Sequence, residues 1–185
     1  MIKRFLSFAV IALAFAAITP SAQAIGFYVD IPANYKFTDC NKDCSYTPTG
    51  VRGAFIFPIN LGIGAETWKV DFEGGDSVDF GMFDLSYVLP IPVVNITLGA
   101  GVGFVTLNTS EVQPDASIND NSYSDSASQY SVSLGYTIFG PLDIHLGYEK
   151  VNAELDYTVE TGFGSYPVTI DFSGNLIYIG VMFIF

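Results

Sequence analysis

From Ile25 to Phe37 the odd positions read Ile, Phe, Val, Ile, Ala, Tyr, Phe and the even ones Gly, Tyr, Asp, Pro, Asn, Lys. A period of two is the signature of a strand with two unlike faces. The same alternation returns near Gly50 to Phe57, Leu61 to Phe72, Val78 to Leu89, Val94 to Leu107, Gln129 to Ile138, Leu142 to about Val159 and Val168 to Phe185. Eight strands are predicted. Short links (Pro58 to Asn60, Pro90 to Val93, Phe139 to Pro141) alternate with longer polar ones (Thr38 to Thr49, Glu73 to Ser77, Asn108 to Ser128, Thr161 to Pro167). That asymmetry is expected of an up-and-down barrel with tight turns at one rim and loops at the other.

Folding the chain back on itself tests the faces, because paired residues share one. About Ile59, Phe55 meets Ile63 and Phe57 meets Leu61, while Arg52 meets Glu66 on the other side. About Gly140, Ile138 meets Leu142, Tyr136 meets Ile144 and Leu134 meets Leu146, leaving Thr137 with Asp143, Gly135 with His145 and Ser131 with Glu149. A four-residue turn at Pro90 to Val93 pairs Leu85 with Leu98 and Tyr87 with Ile96, sending Asp84, Ser86, Asn95 and Thr97 inward. The strand from Val94 shows Ile96, Leu98, Ala100 and Val102 on one face and Asn95, Thr97 and three glycines on the other. A soluble barrel would put the greasy face inside. Here the second face suits only a polar lumen, so the first belongs in lipid, where a closed ladder keeps every amide paired.

Composition agrees. Half of the 185 residues are apolar and 14% are charged, against about a quarter in ordinary soluble domains. A formal charge of -12 excludes a nucleic-acid partner, which needs a basic footprint. Lys3 and Arg4, an apolar run from Phe5 to Ile18 and Ala22-Gln23-Ala24 read as a signal peptide cleaved after Ala24, leaving residues 25–185 as one domain. Its remaining cations, Lys36, Lys42, Arg52, Lys69 and Lys150, face 19 acids.

Phe185 closes the chain, with Phe183, Val181 and Ile179 at alternate positions before it. This terminal aromatic on an alternating strand resembles the assembly signal of the small eight-stranded outer-membrane barrels of the OmpA-domain, OmpX and OmpW type. The resemblance implies an all-β, closed, antiparallel transmembrane barrel in the outer membrane of a Gram-negative bacterium, both termini in the periplasm. It also implies contact with outer-membrane lipid, lipopolysaccharide and the barrel-assembly machinery. The function it implies is a non-enzymatic cell-surface protein displaying acidic loops. A narrow, porin-like channel for small solutes or hydrophobic molecules is the alternative, and a lipid-modifying barrel enzyme a third reading.

Candidate chemistry sits mostly on the inward face. Arg52 and Glu66 form an expected lumen ion pair, with Asp84 or Asp143 as further acceptors. His145 points inward near Asp143 and Glu149, and Ser131 and Ser133 are the nearest hydroxyls by register; no G-x-S-x-G elbow accompanies them, so no catalytic residue is assigned. Cys40 and Cys44 read as a disulfide closing a small loop of an exported chain; zinc would need further ligands, and neither metal nor cofactor is expected. Glu111, Asp115, Asp120 and Asp125 make an oxygen-rich third loop in which Ca²⁺ stays open, without the spacing of a calcium loop. Inward glycines, including Gly62, Gly99, Gly147 and Gly180, either seat neighbours such as Tyr178 or line a water path. Phe55, Phe57, Tyr87, Tyr130, Tyr136 and Tyr148 suit interfacial girdles. A phase change after Tyr148 and before Ile177 suggests a bulge near Gly174 and a ribbon, residues 151 to 172, standing beyond the bilayer.

Overall fold

The structure, a computed structural model, describes residues 25–40, 44–91, 94–109, 122–161 and 164–185; the expected signal peptide lies outside them. Among the described residues ten strands are formed: β1 (Gly26–Phe37), β2 (Ser45–Tyr46), β3 (Thr49–Ile56), β4 (Leu61–Asp71), β5 (Ser77–Ile91), β6 (Val94–Asn108), β7 (Ser122–Phe139), β8 (Leu142–Thr161), β9 (Gly164–Asp171) and β10 (Gly174–Ile184). β2 is a two-residue addition to β1, and β9 pairs only with β8. The other eight follow one another antiparallel, and β10 pairs with both β1 and β8, closing an eight-stranded barrel.

Ile25, Phe185 and the short turns share one end of the barrel. Phe185 donates its amide to Ile25 at 2.8 Å, and Ile184 donates to Pro141 at 2.9 Å. Asn60 takes a positive φ of 62° in its turn, a conformation asparagine tolerates better than most residues.

Most of the expected register is present: Arg52 faces Glu66, Phe55 faces Ile63, Leu134 faces Leu146 and Ser131 faces Glu149. Four details differ. Phe139, not Ile138, faces Leu142, across a register shift after Thr137. The β5–β6 ladder pairs Leu85 with Ala100 and Tyr87 with Leu98, continuing to Ile91 opposite Val94; a slip of two residues keeps every face and gains ladder bonds. β7 begins at Ser122 instead of Gln129, because its serine-rich start pairs with β6 as far as Asn108. In β1 the register shifts between Pro32 and Asn34. Pro32 has no amide hydrogen to give, and the extra residue beside it turns Tyr35 inward, fully buried, and Lys36 outward.

No phase change occurs in the last hairpin, and Gly174 is not a bulge. Glu154 faces Asp171 and Val151 faces Gly174 in one continuous register. Val151, Ala153 and Leu155 are buried like Glu149 before them; what changes is the chemistry of the lumen, not the direction of the side chains. Gly174 instead leaves room for the ring of Tyr35, whose hydroxyl donates to the Phe172 carbonyl at 2.6 Å. The two strands do run on together as a ribbon, to Thr161 opposite Gly164.

The barrel therefore changes character along its axis. Toward the turn end, Phe27, Val29, Ile63, Leu85, Leu98, Leu134, Leu146 and Ile179 are exposed on the outer wall. Toward the loop end the outer wall becomes Asp71, Ser124, Ser126, Ser128, Asn152, Glu154 and Asp156, while Tyr35, Trp68, Val70, Val78, Phe80, Val105, Val151, Leu155, Phe172 and Leu176 pack inside as an apolar core. The first half has the polarity of a protein in hydrocarbon; the second has that of a protein in water.

A buried charge cluster as the candidate functional site

Arg52 sits mid-lumen because β3 alternates about it: Ala54 and Ile56 share its inward face while Val51 and Phe55 point out. Its ladder partner Glu66 lies at 3.6 Å from Nε. Nη2 contacts Asp84 Oδ1 at 3.3 Å and donates to Ser131 Oγ at 3.2 Å, and Nη1 donates to Glu149 Oε2 at 3.4 Å. The guanidinium also lies 4.9 Å from the Tyr178 ring centre and 5.5 Å from that of Tyr28. Tyr28 donates its hydroxyl to Asp84 at 3.3 Å, and Trp68 Nε1 donates to Glu66 at 3.3 Å. One planar cation thus ties together β3, β4, β5, β7 and β8, a task suited to a guanidinium with five fixed donors.

Two further polar pairs lie nearby. His145 Nε2 bonds Asp30 Oδ1, and Asn95 donates to Asp143. Asp143 therefore serves Asn95, while Asp84 is the acceptor that Arg52 reaches. Asp30, Glu66, Asp84, Asp143 and Glu149 are all at most 5% exposed, so the lumen holds more carboxyl groups than cations. Ser131 accepts from Arg52, and Ser133, also buried, faces Gly147 across the ladder.

Asp30, Tyr28 and Tyr178 were missed in the sequence as members of the site. The signal was there for Asp30: it occupies an even position of β1, opposite Arg52 on one side and Gly180 on the other. A carboxylate opposite a glycine marks a place where the small residue leaves it room.

The inward glycines seat side chains. A Cβ on Gly147 would strike the ring of Tyr178, on Gly62 the hydroxyl of Ser86, on Gly99 that of Ser131, and on Gly180 the carboxylate of Asp30. Beside Arg52, Asp30, Glu66 and Tyr178 a cavity of about 10 Å³ remains, room for one water. Above this level lies the apolar core, with Trp68 and Phe80 stacked at 3.9 Å; below it Tyr28, Ala54, Ile56, Val88 and Met182 pack together.

Of the remaining candidates, Cys40 and Cys44 are disulfide-bonded, their Cα atoms 6.1 Å apart. Glu111, Asp115 and Asp120 lie outside the described residues. Asp125 stands on β7 and not in a loop; its carboxylate accepts from the amides of Ser126 at 2.6 Å and Asp156 at 3.4 Å. Among the described residues no group of three or more His, Cys, Asp or Glu is arranged to hold a metal ion. Ile179, Val181 and Phe185 point outward, and Phe183 stacks on Phe27 at 5.0 Å. The girdle aromatics Phe55, Phe57, Tyr87, Tyr130, Tyr136 and Tyr148 are all exposed on the outer wall.

No protein-family model and no curated protein matches the chain. Solved structures do. Neisserial surface protein A superposes with a TM-score of 0.59 at 8% identity, covering 90% of this chain and 100% of that one. The outer membrane protein OprG of Pseudomonas aeruginosa superposes with a TM-score of 0.57 at 13% identity, covering 89% of this chain and 97% of its own. At such identity the likeness is one of fold, and the fold of this chain is that of the small eight-stranded outer-membrane β-barrels.

Proposed function

We propose that this chain is a non-enzymatic protein of the bacterial outer membrane, a barrel with a closed lumen that anchors a water-exposed, acidic loop-end platform. Its turns and termini face the periplasm. The observation that carries this reading is the filling of the lumen at three successive levels: an apolar plug near the turns, the Arg52 cluster, and the Trp68–Phe80 core. Among the described residues these packed layers occupy the lumen, which favours a closed barrel over the narrow-channel reading. The interior acts as a strut, and the surface acts through lipid and the loop end. Lipopolysaccharide, bulk outer-membrane lipid and the barrel-assembly machinery are the partners that such a seat entails.

Planar-bilayer recording of the refolded protein tests the reading. A flat baseline, with inserted barrels counted independently by fluorescent labelling, is expected. Stable single-channel steps that scale with the number of inserted barrels would overturn the closed lumen and favour the channel.

A further inference from the structure

Cations are scarce on this acidic barrel, yet two of them stand in one row of the outer wall. Lys36 faces Asn175 across β1 and β10, and Asn175 faces Lys150 across β10 and β8. With strands about 4.8 Å apart, the two lysine backbones are about 10 Å apart, a gap that two flexible side chains close easily. Lys36 points outward only because the register shift after Pro32 reverses the last part of β1. Lys150 Nζ donates to Thr38 at 2.7 Å, which leaves an ammonium with further donors to give. Tyr148 donates to Asn175 at 2.5 Å, and Tyr130 faces Lys150 on the other side.

The row also marks a height. Toward the turns its outward neighbours are Ile177 and Tyr148; toward the loops they are Thr38, Asn152 and Ser173. Apolar wall ends and hydrogen-bonding wall begins there. Lys69 stands apart from this row, on β4, and pairs with Asp71 at 2.8 Å.

We propose that the Lys36–Asn175–Lys150 row is a binding site for the phosphate of a phosphorylated glycolipid in the outer leaflet. The inference rests on the outer-membrane seat described above and adds a defined lipid contact to it. At the boundary of the apolar band a lipid's acyl chains lie against Ile177 and Ile179 while its headgroup reaches the lysines. A phosphomonoester carries close to two charges and three terminal oxygens, matching two ammonium groups better than the single charge of a glycerophospholipid diester. The amide of Asn175 and the hydroxyls of Thr38 and Ser45 offer a shelf for sugar hydroxyls.

The test reconstitutes the protein in phosphatidylcholine nanodiscs doped, at equal mole fraction, with diphosphoryl lipid A or with phosphatidylglycerol, and counts retained lipid by native mass spectrometry. Heat-shifted gel migration checks that each variant is folded. Wild type is expected to retain lipid A about tenfold over phosphatidylglycerol, as two interfacial lysines allow. Lys36→Gln with Lys150→Gln should abolish that preference, and Lys69→Gln should keep it. Equal retention of the two lipids, an unaffected double variant, or the same loss in Lys69→Gln overturns the site. Folded protein that inserts without retaining lipid A refutes this site alone, whereas protein that never enters the discs refutes the membrane seat itself.

Discussion

Arg52 on β3 reaches Glu149 on β8 through the lumen, Nη1 to Oε2 at 3.4 Å, while its other nitrogens hold Glu66 and Asp84. Removing a cation from such a set leaves buried carboxylates without compensation, which costs about 3–5 kcal/mol. Arg52→Met should destabilise the barrel by about that much in urea titrations monitored by gel migration in lipid vesicles. Arg52→Lys should recover only part of it, since an ammonium cannot replace a fork that spans three acids. A loss in Arg52→Met below about 1 kcal/mol, the scale of an exposed pair, would show that the cluster does not brace the strands.

Gly147 and Tyr178 test the packing beside that cluster. The ring fills the space where a Cβ would stand and also lies over the guanidinium. Gly147→Ala should therefore cost about 1–3 kcal/mol through overpacking. Combined with Tyr178→Leu the penalty should shrink, giving a double-mutant coupling well above the scatter expected of independent sites. Additive losses would contradict the contact.

At the loop end the stacked pair Trp68 and Phe80 holds a core of the kind found in soluble proteins. Trp68→Ala should cost about 3–5 kcal/mol. It should also sensitise the β8–β9 ribbon to protease while leaving the lipid-facing strands protected. Uniform sensitivity along the chain would argue that the two halves are not distinct.

The Asp125 carboxylate gives that ribbon a pH dependence. Amide hydrogens of Ser126 and Asp156 hold it below the usual carboxylate range. A group lowered in the folded state contributes stability above its unfolded pKa of about 4, and this is lost as the pH falls through the folded value. Protection of the Asp156 amide against hydrogen exchange, relative to the intrinsic rate at each pH, should thus fall on acidification below pH about 4, and Asp125→Asn should flatten the response. An unchanged profile in the variant would remove Asp125 as the cause.

Much of the barrel could be read from alternation alone, because in lipid the two faces of a strand must differ. That is why Arg52, Glu66, Asp84, His145 and Glu149 were all assigned to the lumen, where they are buried. The reading weakened wherever the contrast between faces did. A slip of two residues between β5 and β6 exchanges Leu98 for Ala100 opposite Leu85 without moving any side chain to the other face. In β1, Tyr35 and Phe37 suit either face, so only the register shows that Tyr35 lies inside. In β8, Val151 and Leu155 mimic a change of phase because the loop-end lumen is itself apolar. Tyr28 and Tyr178 reach Arg52 from strands far apart in sequence, and alternation alone, which places them and Asp30 on the inward face, does not say which inward residues meet.

The reversal of polarity along the axis is tested most directly by spin labels placed one at a time on the outer wall of the reconstituted protein. Labels at Leu134, Leu146 and Ile179 should be accessible to oxygen and shielded from a water-soluble nickel chelate. Labels at Ser126, Asn152 and Asp156 should show the opposite. Equal access to the chelate at both sets, or protein that stays monomeric in buffer without detergent, would contradict a barrel whose turn-end half sits in hydrocarbon and whose loop-end half stands in water.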